Sequence, residues 1–262
     1  MPFHEFSSLE LLSRTVENVK NNVCVINGIY PKTNEFNMQS VIANQHLLLA
    51  LGYLSKGTGF LTSDGYVITA YHVIEKASDI LCRPCAHPEF FELELVKSDR
   101  VHDIALLKPE IRWSEGIDIR LSTKQPKKGD LVFTLGYPLY YDGPEPILSV
   151  GFFSNLEEKQ GIRRLVINGA FNKGNSGGPL FDVQGRLLGI VVAKTLAEDP
   201  FLELAFQILE NPQVELIYAG IELPDGSKEE MTLSKVIRTL ITWIANNIQT
   251  NLGEAISAEY LV

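Results

Sequence analysis

Short apolar segments separated by turn residues recur through most of the chain, and this feature constrains the fold more than any other. The segments are rich in β-branched and aromatic residues, and Gly, Pro, Asn and Asp lie between them. Six of them precede the polar stretch at 126–129 and six follow it. They are residues 22–30, 57–62, 66–71, 79–84, 90–98 and 104–108, then 130–136, 147–155, 164–169, 179–182, 187–194 and 216–222. Many short strands at regular spacing are typical of an all-β barrel or sandwich, so we predict two similar β halves.

Local signals add a hairpin and two helices. Asp64-Gly65 between two strand-like segments predicts a tight turn. Apolar residues recur at helical spacing from Leu9 to Val19, and again from Leu233 to Ile248 behind a Pro-Asp-Gly turn. We expect a short N-terminal helix and a C-terminal amphipathic helix whose apolar stripe packs on the core. Residues 31–56 are expected to be irregular or partly helical.

The charge and the apolar runs argue against two classes of partner. The 23 Lys and Arg against 32 Asp and Glu give a net charge of 23 − 32 = −9, and no local basic patch stands out. Such a chain lacks the positive surface that collects phosphates, so no nucleic-acid partner is expected. The longest early apolar run, Val41 to Leu54, is interrupted by polar residues and is shorter than the roughly 20 residues of a spanning helix. We expect no membrane partner.

The cysteines and the N-terminus bear on compartment and cofactors. Cys24, Cys82 and Cys85 are an odd number at no spacing typical of a disulfide framework. One Cys-x-x-Cys supplies half of a four-ligand zinc site, so neither a metal nor another cofactor is expected. Met1 to Leu12 shows no basic region followed by an apolar stretch, as an export signal would. We therefore expect a cytoplasmic protein.

Gly174 to Pro179 is the stretch that predicts chemistry. It reads Gly-Asn-Ser-Gly-Gly-Pro, and three glycines around Ser176 describe a backbone that costs stability and usually serves a purpose. We interpret Ser176 as a nucleophile, with the N–H groups of Gly174 and Ser176 pointing at a developing oxyanion. The alternative is a Gly-rich turn between strands. A turn does not explain a serine framed on both sides.

A serine hydroxyl is a weak nucleophile and needs a base, which is most often a histidine. His72 directly follows the segment 66–71, where a rigid strand could fix its ring. His4, His46 and His87 have no such context. The alternative is that His72 is a structural histidine at a strand end.

The base in turn needs a carboxylate that orients it. Asp103 immediately precedes the apolar segment that begins at Ile104, so that strand could hold it. Asp99 is the rival, but its polar neighbours favour a solvated turn carboxylate. We interpret His102, beside Asp103, as surface.

Three motifs in order carry a family resemblance. They are Thr69-Ala70-Tyr71-His72-Val73, Asp103-Ile104-Ala105-Leu106-Leu107 and Gly174-Asn175-Ser176-Gly177-Gly178-Pro179-Leu180. Together they resemble the trypsin-like serine peptidases, closest to the HtrA/Deg branch, and the order His, Asp, Ser is that of the chymotrypsin type. Gly57-Thr58-Gly59-Phe60, Gly136-Tyr137-Pro138 and Gly185 to Ile190 add support, so that the resemblance covers roughly residues 55–194.

The resemblance implies an all-β fold of two six-stranded antiparallel barrels that meet at a catalytic cleft. The expected division is an N-terminal helix at 1–21, a first barrel at 22–125, a second barrel at 126–231, and a C-terminal helix and tail at 232–262. The implied activity is that of a serine endopeptidase acting on a polypeptide substrate, with Ser176 as nucleophile, His72 as base and Asp103 orienting the base. The alternative is an inactive barrel that binds a peptide or a partner.

Departures from the family pattern limit what carries over. HtrA-type proteins usually carry a PDZ domain after the protease domain, and we expect none here. The family places its specificity pocket at Ala170 and Phe171 and at Val192, Ala193 and Lys194; no carboxylate lies there, so small or medium apolar residues are expected at P1.

Regulation is also expected to differ from that of the secreted digestive members. Asn175 is a neutral amide that cannot pair with a freed N-terminus, so we expect control by loop ordering or by a regulatory protein partner and not by zymogen cleavage. The segment Thr195 to Val214 is the candidate for that control, as a cover or docking surface; the alternative is a helix packed on the second barrel. The sequence does not predict the oligomeric state.

Overall fold

A computed structural model describes residues 8–30, 38–118, 125–192, 217–222, 228–247 and 252–261. These residues belong to two compact units. The first unit draws on Met1–Gly28, Ser55–Lys194 and Thr250–Val262, and the second on Ile29–Leu54 and Thr195–Gln249. Among the described residues, no helix is long and apolar enough to cross a bilayer.

The first half of the chain forms a closed barrel of six strands. They are β1 Val23–Ile29, β2 Leu54–Leu61, β3 Val67–Ala70, β4 Asp79–Pro84, β5 Phe91–Asp99 and β6 Ile104–Pro109. Around the barrel they run in the order β1-β2-β3-β6-β5-β4. All six strands predicted for this half are present. Asp64-Gly65 forms the expected hairpin turn, since Leu61 pairs with Val67 and Gly65 has a φ of 91°.

The second half forms another closed barrel, which is completed from the C-terminal end of the chain. Its first strands are β7 Leu131–Gly136, β8 Ile147–Lys159, β9 Ile162–Gly169, β10 Pro179–Asp182 and β11 Leu187–Val192. β12 Ile217–Glu222 and β13 Lys228–Thr232 pair with each other in a separate two-stranded sheet. β14 Leu252–Ser257 lies between β11 and β9, which gives the order β10-β11-β14-β9-β8-β7.

The sixth strand of this barrel corrects the sequence prediction. Residues 216–222 were expected in that place, and 232–262 were expected to hold only a helix and tail; both expectations were wrong. β14 pairs Ile256 with Ile190 of β11 and Glu254 with Val166 of β9. Ala255 and Ile256 point to opposite faces of β14 and pack in two different clusters of buried side chains, so both faces of the strand are covered. The other boundaries of the expected domains stay predictions.

The helices in the described part of the chain are few and short. They are α1 Ser8–Val19, α2 Met38–Ala43, α3 Gln45–Leu51, α4 Tyr71–Ile74 and α5 Leu233–Asn247, with 3₁₀ turns at Lys20–Asn22 and Ala258–Leu261. The expected N-terminal and C-terminal helices are therefore confirmed. α1 buries Leu12 and Thr15, and the Thr15 hydroxyl donates to the Val183 carbonyl at 3.0 Å. α1 thus packs on the first unit through one face.

Candidate active site

His72 lies where a buried strand turns into a short helix. All four residues of β3 are buried, and α4 begins at once after Ala70. Tyr71, Val73 and Ile74 are buried as well. The His72 side chain is the outward one, 46% exposed. The strand and its buried neighbours therefore hold the imidazole at the surface in a defined place.

Asp103 is bound to this turn by three contacts. Its carbonyl accepts the Tyr71 N–H at 3.1 Å, and its Oδ1 accepts the His72 N–H at 2.8 Å. Its Oδ2 lies 2.6 Å from Nδ1 of His72. An ionised carboxylate only accepts hydrogen bonds, so Nδ1 carries the proton and Nε2 is left as the basic nitrogen. This is the tautomer that a general base requires.

Asp99, the other candidate carboxylate, forms a hydrogen bond with a different histidine. Asp99 Oδ2 lies 2.7 Å from Nδ1 of His102, and this hydrogen bond lowers the pKa of Asp99. The His102 ring stacks on Tyr260, with 4.0 Å between the ring centroids. The interpretation of His102 as surface was wrong, because it joins the loop before β6 to the C-terminal 3₁₀ turn. The sequence signal, a histidine three residues after an aspartate, was present.

Ser176 lies on a loop that both barrels hold. Its carbonyl accepts the N–H of Thr58 in β2 at 2.8 Å, and the next residue, Gly177, donates its N–H to Val191 of β11 at 2.8 Å. β2 pairs directly with β3, the strand that ends at His72. The residue is 5% exposed. The loop is therefore fixed against the strand next to the His72 strand.

Two of the glycines around Ser176 are required by the backbone. Gly174 and Gly177 have φ values of 93° and 87°, which residues with a side chain rarely adopt. A Cβ on Gly174 would lie 2.6 Å from the Leu139 nitrogen, and one on Gly177 would lie 2.7 Å from the Ala70 nitrogen. The loop therefore needs glycine for both conformation and space.

The Gly174 N–H, the expected oxyanion donor, lies between two carbonyls that are both hydrogen-bonded. The Lys173 carbonyl accepts the Leu139 N–H at 2.9 Å, and the Gly174 carbonyl accepts the Thr58 hydroxyl at 2.6 Å. Within the described part of the chain, the Gly174 N–H has no acceptor. A donor held in this way can bind charge that develops on a substrate without reorganising.

Asn175 is fully buried, and both polar atoms of its side chain lack a partner among the described residues. It lies against Gly136, where an added Cβ would come within 2.6 Å of the Asn175 Oδ1. A carboxylate at this position would be far more costly than the neutral amide unless a cation reached it.

The structure describes three of the five residues expected to bind substrate. Ala170 is half-buried just after β9, and Val192 is buried at the end of β11. Phe171 is packed in the core of the second barrel. Ala193 and Lys194 lie outside the described residues, as does the segment Thr195 to Val214.

Metal-binding side chains do not cluster in the described ranges, where no three His, Cys, Asp or Glu residues come together as ligands. Cys24 and Cys82 are buried free thiols, and Cys85 is half-buried. Burial raises the pKa of Cys85.

Comparison with protein families gives one match that covers just over half of the chain. The model of the trypsin-like peptidase domain matches residues 57–190. That range begins in β2 and ends in β11, and it contains His72, Asp103 and Ser176.

The curated relatives include probable periplasmic serine endoproteases described as DegP-like. The protein from Ectopseudomonas mendocina (strain ymp) is 34% identical over 159 residues, which cover 59% of this chain and 32% of that protein. The protein from Pseudomonas putida (strain GB-1) is 33% identical over 213 residues, which cover 74% of this chain and 44% of that protein. The chain thus spans less than half the length of these relatives.

Solved structures share the fold. The Rv3671c protease from M. tuberculosis in its active form matches with a TM-score of 0.57 and 17% identity over 96% of each chain. The HtrA-type protease AlgW with a tripeptide matches with a TM-score of 0.56 and 22% identity, over 80% of this chain and 67% of that chain. The prediction of two six-stranded barrels is confirmed.

The comparisons correct the expected location. The relatives are named periplasmic proteins. The expectation of a cytoplasmic protein was therefore wrong. It rested on the N-terminal residues, which lie outside the range 57–190 that matches the family, and on the number and spacing of three cysteines.

Proposed function

The chain belongs to the trypsin-like peptidase family, and on that premise we propose that it is a serine endopeptidase that cleaves polypeptides through an acyl-enzyme on Ser176. The observation that carries the proposal is the hydrogen bond between His72 Nδ1 and Asp103 Oδ2, at 2.6 Å, just after β3, which pairs with the strand that contacts the Ser176 loop. An inactive binding barrel has no need of an imidazole held in one tautomer.

The mechanism follows from the three side chains. Nε2 of His72 takes the hydroxyl proton of Ser176 as Oγ bonds to the scissile carbonyl carbon. The N–H groups of Gly174 and Ser176 bind the oxyanion. His72 then gives the proton to the leaving amine as the C–N bond breaks, and the acyl group stays on Ser176. A water molecule, deprotonated by His72, hydrolyses the ester and restores the serine. Asp103 stabilises the imidazolium in both halves.

The proposed substrate class is a polypeptide with a small or medium apolar residue at P1. Ala170, Phe171, Val192, Ala193 and Lys194 would form the pocket. The first four are apolar, and none of the five is a carboxylate that could receive the charge of an arginine or lysine side chain. An unpaired ammonium there would lose its hydration without compensation.

The proposed location is the periplasm, as the names of the relatives indicate. We further propose that activity is controlled by loop ordering or by a regulatory protein and not by zymogen cleavage. Asn175 supports this, because a buried neutral amide offers no counter-charge to an inserted N-terminus.

Labelling with a serine-directed fluorophosphonate probe tests the proposal. We expect the wild-type protein to be labelled on Ser176 and to cleave casein, and the Ser176→Ala variant to do neither. His72→Ala should lower the cleavage rate by roughly 10⁴-fold to 10⁶-fold. Ser63→Ala, at an exposed serine of the hairpin turn, is the matched control and should behave as wild type.

An unlabelled wild-type protein would leave the inactive barrel as the better description. Cleavage by Ser176→Ala within a few-fold of wild type would show that another group is the nucleophile.

A further inference from the structure

Lys56 is a buried lysine in β2 that the mechanism above does not use. It is 7% exposed. Its Nζ donates to the Tyr141 carbonyl at 2.6 Å and to Oδ1 of Asp142 at 3.2 Å. Burial lowers its pKa, against the opposing effect of Asp142. A buried ammonium is costly unless its hydrogen bonds are made, so both contacts are strongly favoured.

Two residues of β2 hold the turn 137–142. Lys56 binds its C-terminal end, and Thr58 binds its N-terminal end. Tyr137 donates its N–H to the Thr58 hydroxyl at 3.0 Å, and Tyr141 donates its N–H to the Pro138 carbonyl at 2.9 Å. Lys56 and Thr58 are two residues apart on one strand and therefore face the same side. Their side chains therefore bind the turn 137–142 at both of its ends.

This turn fixes the peptide that precedes the nucleophile. Leu139 donates its N–H to the Lys173 carbonyl at 2.9 Å. A peptide is planar and trans, so the carbonyl of Lys173 and the N–H of Gly174 point in opposite directions. While Leu139 holds the carbonyl on one side, the Gly174 N–H is turned to the other. Gly174 also packs directly on the turn.

We propose that Lys56 is a positioning residue for the oxyanion hole: its ammonium pins the turn 137–142, and the turn orients the Lys173–Gly174 peptide. The inference rests on the proposed peptidase function for its catalytic consequence. Its structural consequence, the hold of Leu139 on Lys173, does not depend on that function.

The decisive variant is Lys56→Met, which keeps an unbranched apolar side chain of similar size and removes the donors. We expect kcat to fall about tenfold or more while KM stays within about threefold, because an oxyanion donor acts in the transition state. The affinity for a peptide boronate should fall with kcat, and that for a cleaved product peptide should not. Exchange of the Leu139 amide with solvent deuterium should become faster.

Two further variants make the outcome clear. Lys20→Met is the matched control, since Lys20 pairs with Glu145 just beyond the same turn at 3.6 Å and lies outside the proposed path; its kcat should stay within about twofold of wild type. Asp142→Ala removes the counter-charge of Lys56, leaves the Tyr141 carbonyl in place as an acceptor, and should lower kcat several-fold. It decides the matter if Lys56→Met does not fold.

Unchanged kcat and unchanged exchange at Leu139 in these variants would overturn the inference. Equal losses in kcat and in product affinity would also overturn it, since they would mean a general loss of structure. If the wild-type protein neither reacted with the fluorophosphonate probe nor cleaved casein, the proposed function would be overturned instead. The exchange rate of the Leu139 amide in Lys56→Met would then still test whether Lys56 orders the turn.

Discussion

At the scale of a single residue, the backbone conformation of Asp103 explains how its carbonyl and its carboxylate reach the groups that they bind. Its φ of 55° lies in the left-handed region, which aspartate and asparagine adopt more readily than most residues. In that conformation the carbonyl accepts the Tyr71 N–H, and the carboxylate accepts hydrogen bonds from the backbone N–H and from Nδ1 of His72. The residue is therefore constrained twice, by its conformation and by its charge.

Asp103→Asn separates these two constraints. Asparagine keeps the conformation and an acceptor for the His72 N–H, but it loses the charge that stabilises the imidazolium. We expect the variant to fold with a near wild-type melting temperature and to lose about 10⁴-fold in kcat. Thermal unfolding and peptide cleavage measure the two effects.

Asp99→Asn is the control for this pair, since Asp99 bonds to His102 and not to His72. Its activity should lie within about twofold of wild type, as for other surface substitutions. Equal losses in the two variants would contradict the assignment of Asp103.

Single strands organise the site at the scale of the element. In β2, the Thr58 N–H donates to the Ser176 carbonyl, and the Lys56 ammonium donates to the Tyr141 carbonyl in the turn 137–142. β2 also pairs with β3, the strand that leads into His72. One strand of the first barrel thereby contacts the Ser176 loop and the turn 137–142, and it lies beside the strand that leads into His72. Its alternation places Lys56 and Thr58 on one side, toward the second barrel.

β14 has the corresponding role in the second barrel, which it closes. Ile256 is 1% exposed, so Ile256→Ala should cost about 2–5 kcal/mol and lower Tm by roughly 5 to 15 °C. Leu252→Ala is the control on the same strand, since Leu252 is 46% exposed; its Tm should fall by about 2 °C or less. Differential scanning calorimetry measures both shifts. Equal small shifts would show that β14 is not part of the core.

The sequence predicted the His72–Asp103 pair and the glycine loop around Ser176 better than the second barrel, and the reason is the range of the interactions. Each motif around His72, Asp103 and Ser176 is local, because a strand end or a glycine loop shapes it within a few residues. β12 and β14 have similar apolar patterns, and their partners in the fold decide which one closes the barrel. Lys56 falls in the stretch 31–56, which was expected to be irregular or partly helical, and its role could not be predicted because its partners are 85 and 86 residues away.

At the scale of the whole molecule, the described residues form one cluster of buried side chains that belongs to both barrels and another that lies within the second barrel. A single cluster of buried side chains includes Cys24 and Phe60 of the first barrel and Phe133, Phe181 and Ile256 of the second. Both barrels also belong to the same compact unit, which is assembled from three separate stretches of the chain. A core shared in this way favours cooperative unfolding, because neither barrel can open without exposing apolar surface of the other.

The three thiols provide a probe of that cooperativity. Cys24 in β1 and Cys82 in β4 are fully buried, and burial raises the pKa of Cys24 well above its usual value, with a hydrogen bond to Cys82 adding to the effect. The thiolate is the reactive form, so neither residue should react with a thiol reagent in the folded protein. Cys85, half-buried, should be the one thiol that reacts, and Cys85→Ser should abolish the reaction.

In urea, the reaction of Cys24 and Cys82 should appear at the same midpoint as the loss of structure in the second barrel. Ile256→Ala should move both midpoints down together, although Ile256 lies in the other barrel from the cysteines. Mass spectrometry of the labelled peptides and circular dichroism measure the two transitions. If the cysteines reacted at a clearly lower urea concentration, the first barrel would unfold by itself, and the shared core would not couple the two barrels.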